Sequence, residues 1–376
     1  MVQPEFKPFP FIIDGAERFS VTSNGRKFLD FSGSGMTTGY NFIRPDWIEP
    51  AVSRLVFNNP YTLELSERLK KISNFQQIAF STSGTEACDV AMSRFGRPVY
   101  SLEGAYHGLT YLAGLVSNGK GFDAQNKIVH LKPPESGVST DKAIEYNKEL
   151  LDSIDMDMEG GLLIFELIQS DGGVNVLPES FVNYLVKLAS DRGLKILIDE
   201  VYTGYGRSGE MFLFKKYGIR PDMVCIGKGM AAGLPLGGIM YNGDWSLPHN
   251  QVVSMQSANM FISKVALKVL DALNDRRLQF VRRRGDNIIK RLDRINNPKI
   301  RSVRGRGFMI GVEFYDDISG PDGKYALAVR EELVNNGIIC SLTGEANNVL
   351  KITPPVLIDR ESLTSAIDRI AAVLER

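Results

Sequence analysis

The sequence predicts an α/β protein with a doubly wound, mostly parallel sheet and a smaller α+β domain. Short apolar strands alternate with helical patterns, and the 376 residues are enough for two domains. Two strands also end in distinctive residues: 194–198 runs into Asp199-Glu200, and 223–226 runs into Gly227-Lys228-Gly229. Because ligands of open α/β sheets bind beyond the carboxyl ends of strands, we expect this carboxylate and this lysine to face one pocket.

The N-terminal part of the chain predicts a hairpin and then a flexible loop. The stretches 19–21 and 28–31 flank an Asn24-Gly25 turn, which favours a tight hairpin. A glycine-rich loop follows, from Gly33 to Gly39. The next predicted elements are a helix at 63–72, a strand at 77–82 and a helix at 86–95.

The remaining elements follow from apolar periodicity and turn residues. Besides the two strands above, the pattern predicts strands at 99–102, 128–131, 162–165 and 238–241, and helices at 142–153 and 180–192. One long helix is predicted from 260 to 295. The last part of the chain predicts a strand at 308–314, a helix at 324–336, a strand at 349–353 and a helix at 360–375.

Composition argues against several classes of function. Lys and Arg number 44 and so do Asp and Glu, without the basic stripe of a nucleic-acid-binding protein. No apolar run approaches the roughly 18 residues of a membrane span, and the start does not read as a signal peptide, so we expect a cytoplasmic protein. The three cysteines and three histidines lack the spacing of a disulfide framework or a metal site.

Lys228 and Asp199 carry the strongest chemical signal. A lysine between two glycines is either a phosphate clamp, a Schiff-base nucleophile or a solvated loop residue. The phosphate-clamp motif fails, because Asp222 and Gly229 stand where it requires Gly and Ser or Thr. A carboxylate that closes a buried strand needs a cation or a donor, and a protonated pyridine nitrogen is one such partner. Asp199 as a simple helix cap is the alternative.

A rival pattern lies close by. The segment Gly204–Gly209 matches G-x-G-x-x-G, a dinucleotide-binding pattern. Its context is poor, since no strand leads directly into it and no good helix follows. Elsewhere, Ser83-Gly84-Thr85 at a helix start predicts an anion site. Tyr106 is placed to stack on a planar ring, and His107 is expected to be structural.

The order of these motifs is more specific than any one of them. Ser83-Gly84-Thr85-Glu86, Tyr106-His107-Gly108, the strand that ends at Phe165-Glu166, Asp199-Glu200-Val201 and Gly227-Lys228-Gly229 occur in this sequence. Together they resemble the class III pyridoxal-phosphate aminotransferases of fold type I. The resemblance extends from Asn24 to the last helix. It implies a small domain from both ends of the chain (1–45 and 256–376) around a large cofactor-binding domain (46–255).

The resemblance also implies roles for individual residues. Lys228 would bind pyridoxal 5'-phosphate as an aldimine and then move the substrate proton, and Asp199 would pair with the pyridine nitrogen. The other cofactor-binding residues it implies are Ser83, Gly84, Thr85, Tyr106, Glu166, Val201, Tyr202 and Ser257. It further implies a homodimer with shared sites. The partners would be a small amine and a 2-oxo acid.

Four positions depart from the family pattern. Tyr202 stands where glutamine is common, and Met255 stands where a threonine usually reaches the partner subunit's phosphate, so Ser257 or Ser254 is the alternative there. Lys351 replaces an arginine that grips a substrate carboxylate, and Asp171 replaces the glutamate that masks it for ω-amino donors. A surface lysine and a turn aspartate are the other interpretation of this pair.

The sequence therefore predicts an aminotransferase that uses an ω-amino donor or amino acid and a 2-oxo acid. An aminomutase of the glutamate-1-semialdehyde type, or an amino-acid racemase or epimerase, on the same site is the first alternative. A dinucleotide-dependent oxidoreductase that uses Gly204–Gly209 is the second.

Overall fold

The protein was analysed as a computed structural model that describes residues 9, 11–34, 37–51, 59–135, 138–243, 254 and 256–376. Its helices are, in chain order, α1 (Pro60–Ser73), α2 (Gly84–Ser93), α3 (Tyr111–Val116), α4 (Thr140–Asp152), α5 (Glu179–Asp191), α6 (Met260–Ala272), α7 (Asp275–Leu292), α8 (Gly323–Asn335) and α9 (Arg360–Leu374). None of these helices is both long and apolar enough to cross a bilayer.

The strands span most of the chain. They are β1 (Gly15–Glu17), β2 (Ser20–Ser23), β3 (Arg26–Asp30), β4 (Gln77–Ser81), β5 (Val99–Leu102), β6 (Gly121–Asp123), β7 (Ile128–Leu131), β8 (Leu162–Phe165), β9 (Ile168–Gln169), β10 (Asn175–Val176), β11 (Lys195–Asp199), β12 (Met223–Ile226), β13 (Gly237–Tyr241), β14 (Ile300–Arg306), β15 (Met309–Asp316), β16 (Gly320–Pro321), β17 (Ile338–Ile339), β18 (Ser341–Thr343) and β19 (Val349–Ile352).

The largest sheet has the strand order β4-β13-β12-β11-β8-β5-β7-β6. The five strands β12, β11, β8, β5 and β7 are parallel, while β13 and β6 run against their neighbours. Strands β5, β7, β8 and β12 are buried along their whole length, as expected where helices cover both faces of a parallel sheet. The predicted α/β class with a mostly parallel sheet is confirmed.

The two ends of the chain meet in smaller sheets. Strand β3 pairs in parallel with β17, so Leu29 lies opposite Ile338. The predicted Asn24-Gly25 hairpin is present, with φ of +48° and +75° at the two turn residues, as a primed turn requires. A second sheet, β14-β15-β19-β18, carries Lys351 on β19. Segments from both termini therefore build one side of the site described below.

One sequence prediction in the C-terminal half was wrong, and one long strand there was not predicted. The single helix predicted over 260–295 is two helices, because the Asn274 side chain accepts a hydrogen bond from the Arg277 amide and begins α7 as a new helix. Strand β14 was not predicted, since its polar sequence lacks an apolar alternation.

Candidate active site

A cavity of about 300 Å³ lies beyond the carboxyl ends of the central strands. Segments that follow β4, β5, β8, β11 and β12 all contribute to it. It is lined by Thr82, Ser83, Gly84, Thr85, Tyr106, His107, Glu166, Ser170, Asp171, Asp199, Val201, Tyr202, Lys228, Gly233, Leu234, Pro235 and Leu236. Most of the residues predicted from the sequence are therefore brought together at one place.

Lys228 begins a short 3-10 turn directly after β12. Its φ of +42° lies in the left-handed region. This conformation is unfavourable for a residue with a Cβ, and such strained residues cluster at functional sites. The Nζ atom lies 4.2 Å from the centroid of the Tyr202 ring. The backbone thus aims the lysine side chain into the cavity, as a nucleophile requires.

Asp199 ends β11 with a carboxylate that is 5% exposed. One oxygen, Oδ1, accepts a hydrogen bond from the Val201 amide at 3.0 Å. The other, Oδ2, lies 2.8 Å from His107 Nδ1 and 3.5 Å from the Cys88 thiol. His107 was predicted to be structural, but the structure places it in the cavity against Asp199, where it orients the carboxylate.

The pKa values of the two buried carboxyl groups of the cavity are shifted in opposite directions. Burial alone raises the pKa of Asp199, but the hydrogen bond and charge of His107, with help from Lys228, lower it below its ordinary value. Burial and the nearby Asp199 charge raise the pKa of Glu166 well above its ordinary value. The pKa shifts of the two groups are thus opposite in direction, and the lowered pKa of Asp199 suits it for holding a proton on a bound ring nitrogen.

The predicted anion site is built at the start of α2. The Ser83 hydroxyl accepts a hydrogen bond from the Glu86 amide, so the helix begins at Gly84 rather than at the predicted residue 86. A Cβ at Gly84 would lie 2.4 Å from Val201, so only glycine fits between this helix start and Val201. The first turn of α2 therefore offers backbone N–H groups and the Thr85 hydroxyl to an anion.

Tyr202 lies between the two lysines of the site. Its ring centroid is 4.2 Å from Lys228 Nζ and 5.3 Å from Lys351 Nζ. Burial raises the pKa of Tyr202, yet the positive charges of Lys351, Arg207 and Lys228 outweigh burial and lower it. These contacts were not predicted from the sequence, where the family resemblance implies that Tyr202 binds the cofactor and that it replaces the usual glutamine.

Lys351 and Asp171 form an ion pair next to the cavity. Lys351 Nζ lies 3.2 Å from Asp171 Oδ1 and 3.2 Å from Ser170 Oγ. Burial alone would lower the pKa of Lys351, but the Tyr202 and Asp171 side chains raise it, so the amine stays protonated. The interpretation as a surface lysine is excluded by its 8% exposure.

Two of the predicted site residues that the structure describes, Ser257 and Lys351, are not in the cavity wall. Met255 lies outside the described residues, so its replacement of the usual threonine stays a sequence observation. Ser257 is fully buried, and its hydroxyl is within hydrogen-bond distance of the Phe80 and Ser254 carbonyl oxygens. Within one subunit these carbonyls engage the Ser257 hydroxyl, and its predicted contact with a cofactor phosphate is untested.

The dinucleotide alternative is wrong. The segment Gly204–Gly209 forms successive turns and leads into a short 3-10 helix, Leu213–Lys215, rather than a phosphate-binding helix. A Cβ at Gly206 would meet Val356, and one at Gly209 would meet Arg282. These glycines therefore allow close packing against the C-terminal part of the chain.

The residues present fit pyridoxal 5'-phosphate. Tyr106 and Val201 line the cavity as apolar partners for a flat ring, with Asp199 as the acceptor for a protonated ring nitrogen and Lys228 as the amine for the aldehyde. The first turn of α2 suits the phosphate. The cavity volume of about 300 Å³ is at the small end of typical ligand sites, in keeping with a ligand of this size.

Known proteins agree with this assignment. The sequence profile of the family described as Aminotransferase class-III matches residues 23–374. The acetylornithine aminotransferase of Haemophilus ducreyi is 28% identical over 372 residues, which cover 93% of this chain and 90% of the relative. An alanine/serine racemase of Pyrococcus horikoshii is 27% identical and covers 98% of this chain and 86% of its own.

A crystal structure of a Bacillus anthracis aminotransferase has the same fold, with a TM-score of 0.85 at 21% identity over 100% of this chain and 96% of that one. The fold type predicted from the sequence is confirmed by this likeness. The family profile covers nearly the whole chain, and the cavity has the lysine, carboxylate and anion site that the family's chemistry needs. The chain belongs to the class III aminotransferase family, and it is a pyridoxal-phosphate-dependent enzyme.

Proposed function

We propose that this enzyme transfers an amino group from an ω-amino donor or an amino acid to a 2-oxo acid. The observation that carries the proposal is the ion pair between Lys351 Nζ and Asp171 Oδ1, 3.2 Å apart, beside the cavity that holds Lys228. A buried cation next to the reactive amine is a binding site for a substrate carboxylate. A carboxylate partner that covers this cation lets the same site accept a donor without an α-carboxylate.

The chain's own residues divide the work of the reaction. When bound, the cofactor supplies a ring that accepts electrons from the substrate carbon. Asp199, oriented by His107, keeps the ring nitrogen protonated. The free Lys228 amine takes the proton from the substrate carbon as a general base. It would then deliver this proton to the C4′ carbon of the cofactor as a general acid. Val201, which lines the cavity, would pack against the ring.

Asp171 is suited to be the movable member of the pair. Its side chain is 42% exposed, whereas that of Lys351 is 10% exposed. The Asp171 backbone is held in place, because its carbonyl oxygen accepts hydrogen bonds from Thr343 and Gly344. Rotation of the side chain alone therefore uncovers Lys351 for a 2-oxo acid, and its return covers Lys351 for an ω-amino donor.

A donor and acceptor panel tests the proposal. Holoenzyme is mixed with 4-aminobutyrate, ornithine or alanine, and the visible absorption of the lysine-bound cofactor is followed. We expect a donor to remove this absorption and pyruvate or 2-oxoglutarate to restore it. The control is Lys228→Ala, which should bind the cofactor without this absorption. Holoenzyme that no amine alters would contradict the proposal.

Racemisation is a second candidate because one relative is named an alanine/serine racemase. The two reactions differ in their need for a second substrate. A racemase or an aminomutase acts on one amino acid alone, whereas a transaminase stops after one half-reaction without a 2-oxo acid. Chiral chromatography of L-alanine incubated with enzyme alone separates these outcomes, and sustained D-alanine production would favour the racemase.

We also propose that the enzyme acts as a homodimer in the cytoplasm. Large apolar side chains are exposed in one subunit: Leu109 is 66% exposed and Tyr111 is 76% exposed. Both follow the cavity residues Tyr106 and His107 closely in the chain. Exposed apolar side chains of this size are typical of surfaces that a partner covers.

A further inference from the structure

The hydroxyl of Tyr202 lies close to residues from both ends of the chain. It lies beside the Thr353 hydroxyl, since a Cβ at Gly33 would be near both, and 3.0 Å from Thr353 Oγ1. A Cβ at Gly33 would lie 2.4 Å from the Tyr202 Oη atom, and Gly33 has a φ of +93°, so a residue with a side chain is unfavourable there for two reasons. The tyrosine hydroxyl therefore occupies a position that exists because residue 33 is glycine.

The hydroxyl of Tyr202 lies on the Lys351 side of the site. Lys351 and Thr353 are two residues apart at the end of β19, so both point to the same face. Lys228 Nζ is 4.2 Å and Lys351 Nζ is 5.3 Å from the ring centroid, whereas the hydroxyl lies beside Thr353, next to the strand that carries Lys351. The ring thus meets Lys228, and the hydroxyl is directed towards Lys351.

The hydroxyl has a proton to donate. The Thr353 hydroxyl donates its own proton to the Phe31 carbonyl oxygen at 3.1 Å, so it leaves the Tyr202 proton free for another acceptor. A neutral hydroxyl is a weaker acceptor than a carboxylate, whose hydrogen bonds are roughly twice as strong. A carboxylate bound at Lys351 is therefore a better partner for Tyr202 than Thr353 is.

A lysine needs such a second donor. Arginine grips a carboxylate with two parallel N–H groups, whereas the ammonium group of lysine acts as a point charge and does not fix the orientation of the carboxylate. We propose that Tyr202 is a specificity-determining residue whose hydroxyl, together with Lys351 Nζ, binds the carboxylate of the 2-oxo acid. This inference rests on the proposed role of Lys351 as the carboxylate site.

The chemistry of the pair defines the ligand class. One ammonium and one phenol proton match the two oxygens of a single carboxylate. The Tyr202 ring next to Lys228 then places that carboxylate on the side of the reactive amine. The site therefore selects 2-oxo acids and α-amino acids over aldehydes and simple amines when Asp171 has moved away.

Kinetics with and without a carboxylate test the inference. Tyr202→Phe, Lys351→Ala and the double variant are assayed in the holoenzyme with pyruvate and 2-oxoglutarate, and with propanal, which lacks a carboxylate. We expect Tyr202→Phe to raise KM for both 2-oxo acids about tenfold and to lower kcat/KM for propanal far less. The double variant should lose less than the product of the two single losses, because both residues hold one carboxylate.

A binding measurement keeps the test independent of turnover. Glutarate, a dicarboxylate without a keto group, is titrated into each holoenzyme by calorimetry, and Tyr202→Phe should weaken its binding about tenfold. Tyr217→Phe is the matched control, since it removes a hydroxyl that donates to the Leu177 carbonyl oxygen away from the cavity. Ser170→Ala tests the other hydroxyl near Lys351.

The outcomes separate this inference from the proposed function. If Lys351→Ala weakens use of 2-oxo acids and Tyr202→Phe does not, Lys351 acts without Tyr202 and the inference is wrong. It is also wrong if Ser170→Ala has the effect expected of Tyr202→Phe, or if the two single losses multiply. If Lys351→Ala changes nothing while transamination persists, the carboxylate site itself is misassigned and the proposed function fails first.

Discussion

Lys351 Nζ lies 3.2 Å from Asp171 Oδ1, and the two partners are unequally buried, with 10% of the lysine side chain and 42% of the aspartate side chain exposed. A lysine enclosed to this extent stays in place, because a move would break its contacts with the Tyr202 ring and the Ser170 hydroxyl. An aspartate at the edge of the cavity can turn into water at little cost. The pair therefore has one fixed and one movable member.

Substitutions at this pair should change substrate preference. Lys351→Ala removes a charged hydrogen-bond partner worth about 1.5–3 kcal/mol, so KM for a 2-oxo acid should rise about tenfold to a hundredfold. Lys351→Arg should preserve or improve carboxylate binding, since the guanidinium adds a second contact. Asp171→Asn should favour donors that carry an α-carboxylate over ω-amino donors. Steady-state kinetics with both donor types measure these effects.

The control for these variants is another Lys–Asp ion pair with a similar N–O distance. Lys195 Nζ lies 3.0 Å from Asp222 Oδ1, away from the cavity, and its side chain is half exposed. Lys195→Ala should leave the preference among donors and acceptors unaltered. A contact worth about 1.4 kcal/mol changes kcat/KM about tenfold. If all three cavity variants change the preference among donors and acceptors by less than about twofold, the pair does not select substrates.

Asp199→Asn should separate cofactor binding from catalysis. Asparagine keeps the size of the side chain but loses the charge that stabilises a protonated ring nitrogen. We expect the cofactor to remain bound while transamination falls about a hundredfold or more, as with other preorganised electrostatic contacts. Cofactor content after denaturation and single-turnover absorbance with a donor measure the two quantities. The control is Asp191→Asn, which removes one member of an exposed ion pair with Lys187. Near-normal turnover in Asp199→Asn would contradict the role assigned to Asp199.

Much of the fold and the core of the site could be predicted from the sequence for a physical reason. Parallel strands bring their carboxyl ends to one edge, so Asp199 after β11 and Lys228 after β12 meet without knowledge of side-chain positions. Ser83 at a helix start is equally local, because its cap depends on residues within one turn. Short-range patterns carry this information.

The rest of the site depends on contacts between distant parts of the chain. His107 meets Asp199 across 92 positions, and no local pattern separates it from a core histidine. Gly33 makes room for Tyr202, and Thr353 lies beside it, only because both ends of the chain fold over the large sheet. The helix break at Asn274 was missed for a different reason, since apolar periodicity continues across the cap.

The proposed dimer predicts a specific sensitivity to charge. Leu109→Asp and Tyr111→Asp place a carboxylate on a surface that we expect a second copy to cover, so each should shift light scattering from dimer to monomer. Ile318→Asp is the control, because Ile318 is 99% exposed in the hairpin between β15 and β16. A fully active monomer of the natural sequence at assay concentration would refute the dimer.

Glu200 should make stability depend on pH. Its carboxyl group is fully buried and accepts hydrogen bonds from the Thr203 hydroxyl and the Phe214 amide, both at 2.6 Å. Burial outweighs these contacts and raises the pKa of Glu200 from 4.5 to about 7. Above pH 4.5 the unfolded chain loses this proton while the folded chain retains it, so the free energy of unfolding falls as pH rises towards 7 and is then constant.

The size of this effect follows from the two pKa values. One pKa unit corresponds to about 1.4 kcal/mol, so Glu200 should reduce the free energy of unfolding by about 3 kcal/mol between pH 4.5 and pH 7. His130 acts in the opposite direction, because burial lowers its pKa from 6.5 to about 4 and stability is lost as pH falls through that range. The contribution of Glu200 is therefore measured as a difference between the natural protein and a variant.

Glu200→Gln provides that difference. Glutamine keeps an oxygen that accepts from Phe214 and does not titrate, although its amide nitrogen cannot accept from Thr203. We expect urea unfolding to give a free-energy difference between Glu200→Gln and the natural protein that moves in favour of the variant by about 3 kcal/mol from pH 4.5 to pH 7. Glu145→Gln, on the exposed face of α4, should give a constant difference. Parallel curves for Glu200→Gln and the natural protein would mean that Glu200 titrates alike in the folded and unfolded chains, and that its pKa is not raised by burial.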